Sequence, residues 1–396
     1  MPSYTYIQKQ QQLDLALVQL KSAPTLAVDT ESSGYYTYFS ELCLIQLSAG
    51  ESHYIVDVLG NINLDGLGAL FADEGIQKIF HGAASDVGEL KNAYGWEVKN
   101  VFDTLFACRM LAHKSCSLAS LVKEYRGVEL KKKEQKSNWK KRPLTRSQLD
   151  YANLDTVYLE DLRDKMIAEI EDEDLLEELR LECEDVLGRL KVQDRIYDEN
   201  SWTRINGALF LSPRERGRLK ALHAVREERA RKDNIAPFRI ISNDGLLRMA
   251  SSEPRSIEDL KGLRAANPLF IKKDGKRILT TLAQAEPIAD AELPVREEVN
   301  EEARALLKEL KKWRHDVAEY RGLDESLILN NRVLQAVAEN RPKNREALEK
   351  LELISPWKLN AYGDRILQVV KNEYRGESDP ALKRVQASRR SRTATP

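Results

Sequence analysis

Three groups of residues have the types and spacings that chemistry needs. The first is Leu26-Ala-Val-Asp-Thr-Glu31, a short apolar run after Pro24 that gives way to Ser32-Ser33-Gly34, and so reads as a strand. Strand side chains alternate faces, which puts Asp29 and Glu31 on the same one. Two acids side by side repel, and a hard divalent cation relieves that by binding both carboxylates. Two solvated acids at a strand end are the other reading of the pair alone. The second group is Ile79-Phe-His-Gly-Ala-Ala-Ser-Asp86, where a strand delivers the chain to Gly82 and Asp86 falls in the first turn of a helix. An acid there also serves the helix dipole, with no further role. His81 reads as a satisfied strand-end histidine rather than a ligand or base. The third group is Tyr151 and Asp155, which are i, i+4 on a helix starting near Thr145 or Ser147 and therefore share a face. A phenol beside a carboxylate can hold a water between them, or make a surface hydrogen bond.

The elements that must position these groups follow from hydropathy. Residues 10–22 read as an amphipathic helix. The apolar runs Leu26–Glu31, Leu42–Ser48 and Tyr54–Val58, separated by Gly34 and Gly50-Glu51-Ser52, read as an antiparallel meander. Then helix and strand alternate: helix Leu64–Phe71, strand Lys78–His81, helix Ser85–Tyr94, strand Asn100–Asp103, helices 104–113 and 117–126. This order predicts a mixed sheet covered by helices.

Asp-x-Glu on a first strand, Asp after a later strand and Tyr-x-x-x-Asp on a late helix resemble the DEDD exonuclease superfamily in its tyrosine branch. Val28-Asp-Thr-Glu31, Phe80-His81, Phe102-Asp-Thr104 and Ser137-Asn-Trp-Lys-Lys-Arg-Pro-Leu144 narrow the resemblance to the ribonuclease D family. His81 stands where the second box often has Asn, a substitution common in that branch. The resemblance implies an RNase H-like α/β catalytic domain, with Asp29, Glu31, Asp86 and Asp155 holding two Mg²⁺ or Mn²⁺ ions. Tyr151 would orient the attacking water; a phenol with an ordinary pKa near 10 is a better positioner than base at neutral pH. Asp103 and Asp150 are not assigned to the metals, because Asp150 sits about 100° round the helix from Tyr151.

At 396 residues the chain has room for two or three domains, and 42% apolar residues are enough for separate cores. Net charge is −1 but uneven: 131–146 hold eight Lys or Arg against Glu134, and 169–185 hold ten Asp or Glu against Arg180. The basic stretch, with Trp139 inside it and the Tyr151 helix after it, reads either as a solvated face or as a segment that tracks a nucleic-acid backbone and stacks bases. Cys43, Cys108, Cys116 and Cys183 show no zinc spacing, so four reduced, buried thiols are expected. With no apolar leader-like segment and no 18-residue apolar run, an intracellular protein off the membrane is expected.

Beyond the acidic stretch the pattern is helical and repeats at an offset of 88. Leu222 matches Leu310, Arg226 Arg314, Asn243 Asn331, Leu246 Leu334 and Pro254 Pro342. Both copies resemble the HRDC domain, a helical nucleic-acid-binding module; the second departs where Pro237-Phe238 becomes Glu325-Ser326. The division expected is a 3′→5′ exonuclease domain over 1–195, HRDC copies over 201–290 and 295–375, and a basic disordered tail over 377–396. The activity implied is exoribonucleolytic trimming to 5′-mononucleotides, with tRNA precursors as substrate, no organic cofactor, a monomeric state and a cytoplasmic site. A DNA exonuclease and a non-catalytic nucleic-acid-binding protein are the alternatives.

Overall fold

The computed structural model describes residues 2–131, 133–170, 173–191, 197–293 and 301–374. The expected basic tail over 377–396 lies outside them. So do Lys132 of the basic segment and residues 171–172 of the acidic one. Among the described residues no helix is long and apolar enough to cross a membrane.

The N-terminal part carries one six-stranded mixed sheet. Its strands are β1 (Thr5–Ile7), β2 (Thr25–Ser32), β3 (Leu42–Ala49), β4 (Ser52–Asp57), β5 (Gln77–Phe80) and β6 (Val101–Asp103), in the spatial order β1-β4-β3-β2-β5-β6. β2, β3 and β4 form the antiparallel meander read from the apolar runs, while β2 pairs with β5 and β5 with β6 in parallel. β1 adds a parallel edge next to β4. Its three residues are too few for hydropathy to reveal.

Among the described residues eight α-helices surround and follow the sheet: α1 (Gln10–Leu20), α2 (Asp65–Ala72), α3 (Ala83–Tyr94), α4 (Thr104–Met110), α5 (Leu118–Arg126), α6 (Arg146–Val157), α7 (Leu159–Glu169) and α8 (Glu173–Gly188). α6 packs across β2, β3 and β4. Its start is set by a capping box, in which Thr145 Oγ1 accepts from Gln148 N and Gln148 Oε1 accepts from Thr145 N.

Cys108 and Cys116 are joined in a disulfide with a Cα–Cα distance of 5.7 Å, so the expectation of four reduced thiols holds only for buried Cys43 and Cys183. Both partners of the bridge flank the turn after α4, and a spacing of eight residues carries no sequence signal of that proximity.

The rest is helical. α9 (Pro213–Asp233), α10 (Pro237–Ile240), α11 (Asn243–Ser252), α12 (Ile257–Gly262) and α13 (Pro268–Gln284) form one unit. α14 (Glu301–Arg321), α15 (Glu325–Ile328), α16 (Asn331–Asn340), α17 (Arg345–Glu349) and α18 (Pro356–Val370) form another. Starts at 213, 237, 243, 257 and 268 recur at 301, 325, 331, 345 and 356, the offset of 88 seen in the sequence. The repeat extends to a buried hydrogen-bond network. Arg226 Nη1 donates to Ile241 O and Asn243 Oδ1 at 3.2 and 2.8 Å, and Arg314 Nη1 to Leu329 O and Asn331 Oδ1, both at 2.9 Å. The left-handed residues recur too, Glu253 with Arg341 and Arg264 with Glu352.

The two units dock differently. The apolar core of the second merges with that of the sheet domain, and Arg321 clamps Glu178 at 2.7 and 2.9 Å. The first keeps its own core, into which the sheet domain inserts Tyr38, only 3% exposed. Arg314→Met should leave Leu329 O and Asn331 without their donor and cost about 2 kcal/mol. A urea midpoint within error of wild type would show that the buried guanidinium does not hold the repeat together.

Candidate functional site

Asp29 and Glu31 leave the same strand, and α6 lays Asp155 against them: one carboxylate oxygen from each lies within 4.8 Å of the others. The ladder between β2 and β3 shifts register at Glu31/Ser32, an irregularity of the sort that re-aims side chains beside functional sites. Asp86 Oδ1 accepts from Thr30 N at 3.0 Å and from Thr30 Oγ1 at 2.6 Å, so the residue between the two strand acids ties down the acid of the second box. The hydroxyl of Tyr151 hydrogen-bonds to Asp155, the pairing expected from their i, i+4 spacing. Thus Asp29, Glu31 and Asp155 converge directly, Asp86 joins them through Thr30, and Tyr151 joins through Asp155.

The electrostatics reflect this crowding. Burial is the main cause that raises each of the four acids above the ordinary carboxylate range, and for Asp29, Glu31 and Asp155 the neighbouring carboxylates add to it. Asp86 is pushed up to about 7, with the Thr30 hydrogen bonds opposing the rise. Asp155 also reaches about 7, with the Tyr151 hydrogen bond opposing. Burial and the surrounding acids push the Tyr151 phenol far above its usual range, so its hydroxyl stays protonated. A cluster of half-buried oxygen donors with excess negative charge is the donor set that hard divalent cations take.

Asp103 and Asp150 lie outside the cluster, as expected, but Asp103 has a structural task the sequence did not disclose. Its carboxylate accepts from Gly82 N and Ala83 N at 2.8 Å each and from Leu105 N at 2.9 Å, fixing the entry to α3 and therefore Asp86. Gly82 has φ +88°, a left-handed conformation that suits glycine. Asp150 is held by Tyr4 and Arg146. His81 is satisfied by Thr104 Oγ1 at 3.0 Å and by the backbone of Cys116.

The basic stretch needs a correction. Trp139 is 2% exposed and lies 6.1 Å, centroid to centroid, from Tyr151, so it supports the tyrosine rather than stacking on a base. Arg142 is committed to Asp57 at 2.6 and 2.7 Å. A tryptophan among lysines looks exposed in sequence because charge runs usually are; only the fold shows the indole turned inward.

A mixed sheet with an acid-lined site followed by two helical modules is an arrangement suited to metal-dependent phosphodiester chemistry. Residues 4–171 match the 3′-5′ exonuclease family model, and residues 215–282 and 303–370 each match the HRDC domain model. The chain is 29% identical to ribonuclease D of Cronobacter turicensis over 88% of its own length and 94% of that protein's. It is 31% identical to ribonuclease D of Sphingobium indicum over 70% and 72%. The crystal structure of Escherichia coli RNase D, an exoribonuclease involved in structured RNA processing, superposes with a TM-score of 0.66 at 26% identity. That match covers 94% of this chain and all of that one. The chain belongs to the ribonuclease D family of hydrolytic 3′→5′ exoribonucleases.

The raised carboxylates give a signed pH prediction. A group whose folded pKa is raised stabilises the fold below its unfolded value near 4 and loses that contribution as pH climbs through the folded value near 7. In chelator, Asp155→Asn should therefore gain melting temperature relative to wild type between pH 5 and 8. A difference that does not change with pH would contradict the shift.

Proposed function

We propose that the chain trims RNA one nucleotide at a time from the 3′ end, releasing 5′-mononucleotides, with the chemistry at Asp29, Glu31, Asp86, Tyr151 and Asp155. The observation that carries this reading is the meeting of three acids from two separate elements within 4.8 Å, with a tyrosine bonded to one of them. The donor set fits divalent ions, and Mg²⁺ or Mn²⁺ held there would supply an acidified water and a charge clamp on the departing 3′ oxygen. Asp29, Glu31 and Asp155 offer oxygens from one crowded face. Asp86, fixed through the oxygen that Thr30 holds, would complete the set with the other.

The Tyr151 hydroxyl donates a hydrogen bond to Asp155 and keeps its proton, which leaves its oxygen lone pairs to accept from the attacking water and aim it. Because the phenol stays protonated, it positions that water and does not take its proton. The buried face of Trp139 limits where the Tyr151 ring can go.

In the same reading the domains run over 1–195, 201–290 and 295–375, tRNA precursors are the substrate, the chain acts as a monomer, and the cytoplasm is its place of work. Relatives named ribonuclease D, which the chain matches over most of their length, support RNA as the substrate class. The Cys108–Cys116 bridge removes reduced thiols as an argument for the location.

Matched RNA and DNA oligomers with free or blocked 3′ ends test the activity. Only the free RNA should be shortened from its 3′ end, and EDTA should stop the reaction. Full activity in chelator would sink the metal assignment. Tyr151→Phe keeps the ring and loses the hydroxyl, so turnover should fall at least about tenfold while RNA affinity holds. Wild-type turnover would make Tyr151 a packing residue.

A further inference from the structure

A cleft of about 830 Å³ lies between the sheet domain and the first helical unit. One wall is the loop after β2, with Tyr36 and Thr37, together with Asn138, Lys140 and Lys141. The other comes from α9, α10 and α13 and presents Arg229, Phe238, Arg239 and Lys273. Five basic residues line it against one acid, Asp233. Three of the five are paired: Arg229 with Asp274 and Asp233, Lys140 with Glu41, and Lys273 with Asp233 at a long 3.8 Å that leaves its ammonium largely exposed. At its mouth Tyr35 and Phe238, 40% and 46% exposed, face each other at 5.1 Å between centroids. Two cations flank the Tyr35 ring of this pair, Arg239 and Lys136, each 5.8 Å from its centroid. Leu269, 69% exposed, adds an apolar surface at the first turn of α13.

The internal repeat shows that the helical fold does not demand these side chains. At the offset of 88, Arg229, Phe238, Arg239 and Lys273 are replaced by Val317, Ser326, Leu327 and Ala361. The second unit forms the same five helices without them. The cleft is also joined to the catalytic site. Tyr35 follows Glu31 by four residues, a reach of at most about 14 Å. Ala236 N donates to Tyr36 O at 2.9 Å and Phe39 N to Asn234 Oδ1 at 2.9 Å, which pins this loop to the first unit. Asn138 and Lys140 flank the Trp139 that packs on Tyr151.

We propose that this cleft is a binding subsite for the single-stranded segment of RNA that precedes the 3′ end being cut, with Tyr35 and Phe238 stacking bases and Lys141, Arg239 and Lys273 meeting phosphates. The proposal deepens the exoribonuclease reading and rests on it for the direction of the strand. Aromatic faces flanked by cations fit unstacked bases on a polyanionic backbone, and a duplex hides the base faces such a platform needs. The 3′ end would enter the acid cluster while the nucleotides behind it lie across Tyr35 and Phe238.

The test uses the full chain carrying Asp155→Asn, so that RNA survives, and a fluorescent 12-nucleotide single-stranded RNA with a free 3′ end. Phe238→Ser and Lys273→Ala are added singly; each installs the residue the second unit already carries, and thermal melts confirm the fold. Phe238→Ser should weaken binding about tenfold. Lys273→Ala should flatten the slope of log affinity against log salt by about 0.7. Affinity and salt slope unchanged in both variants overturn the subsite. Degradation of the same RNA by the wild-type chain is scored separately: if it fails while the variants still lose affinity, the catalytic reading falls and the subsite stands.

Discussion

The constraint on which the molecule depends is the mutual repulsion of carboxylates crowded and partly buried at one place. Asp29, Glu31, Asp86 and Asp155 are each raised by burial, and the negative charge of the others disfavours ionisation of Asp29, Glu31 and Asp155 further. Such a cluster persists only if the surrounding fold holds it. The first support is local: Thr30 holds Asp86 by backbone and hydroxyl. The second is Asp103, which gathers three backbone N–H groups at the ends of β5 and β6 and so fixes where α3 begins. The third is α6, whose capping box and packing across the meander set the height of Asp155 above β2.

A second shell of packing extends these supports to the rest of the chain. Trp139 and Leu144 lie in a small core with Cys43, Leu44 and Ile55 of the meander and with Ala152 of α6, next to Tyr151. Arg142 anchors the same segment to buried Asp57, which also accepts from Tyr6 on the edge strand at 2.5 Å. The basic run thus does two things: part of it braces the tyrosine helix from inside, and part of it faces the cleft. The helical units are likewise divided in role. One shares its core with the sheet domain, and the other meets it through Tyr38 and the loop after β2.

Much of this was legible in the sequence because the signals were local and periodic. The strands read as Leu26–Glu31, Leu42–Ser48 and Tyr54–Val58 appear as Thr25–Ser32, Leu42–Ala49 and Ser52–Asp57. The pairing of Tyr151 with Asp155 followed from helix geometry alone, and the repeat from a constant offset that carried Arg226 onto Arg314. What was illegible depends on the direction a side chain takes in three dimensions. Nothing near Trp139 in sequence marks its indole as buried, and nothing in an Asp-Thr-Glu box shows that the threonine holds an acid 56 residues away. The Cys108–Cys116 bridge closes a turn whose path is set by α4 and α5. Asp103 was not assigned to the metals from sequence, but its grip on α3 appears only when two parallel strands lie side by side.

The central claim is that these four acids form one divalent-ion site that serves RNA hydrolysis. Crystals of the full chain grown with Mn²⁺ and a 5′-mononucleotide, measured at the manganese absorption edge, test it most directly. The account predicts two anomalous peaks about 3.5–4 Å apart, bounded by Asp29, Glu31, Asp86 and Asp155, with the nucleotide phosphate against them. Peaks on Asp103 or Asp150 instead, or none within reach of Asp29 and Asp155 at saturating Mn²⁺, would contradict it.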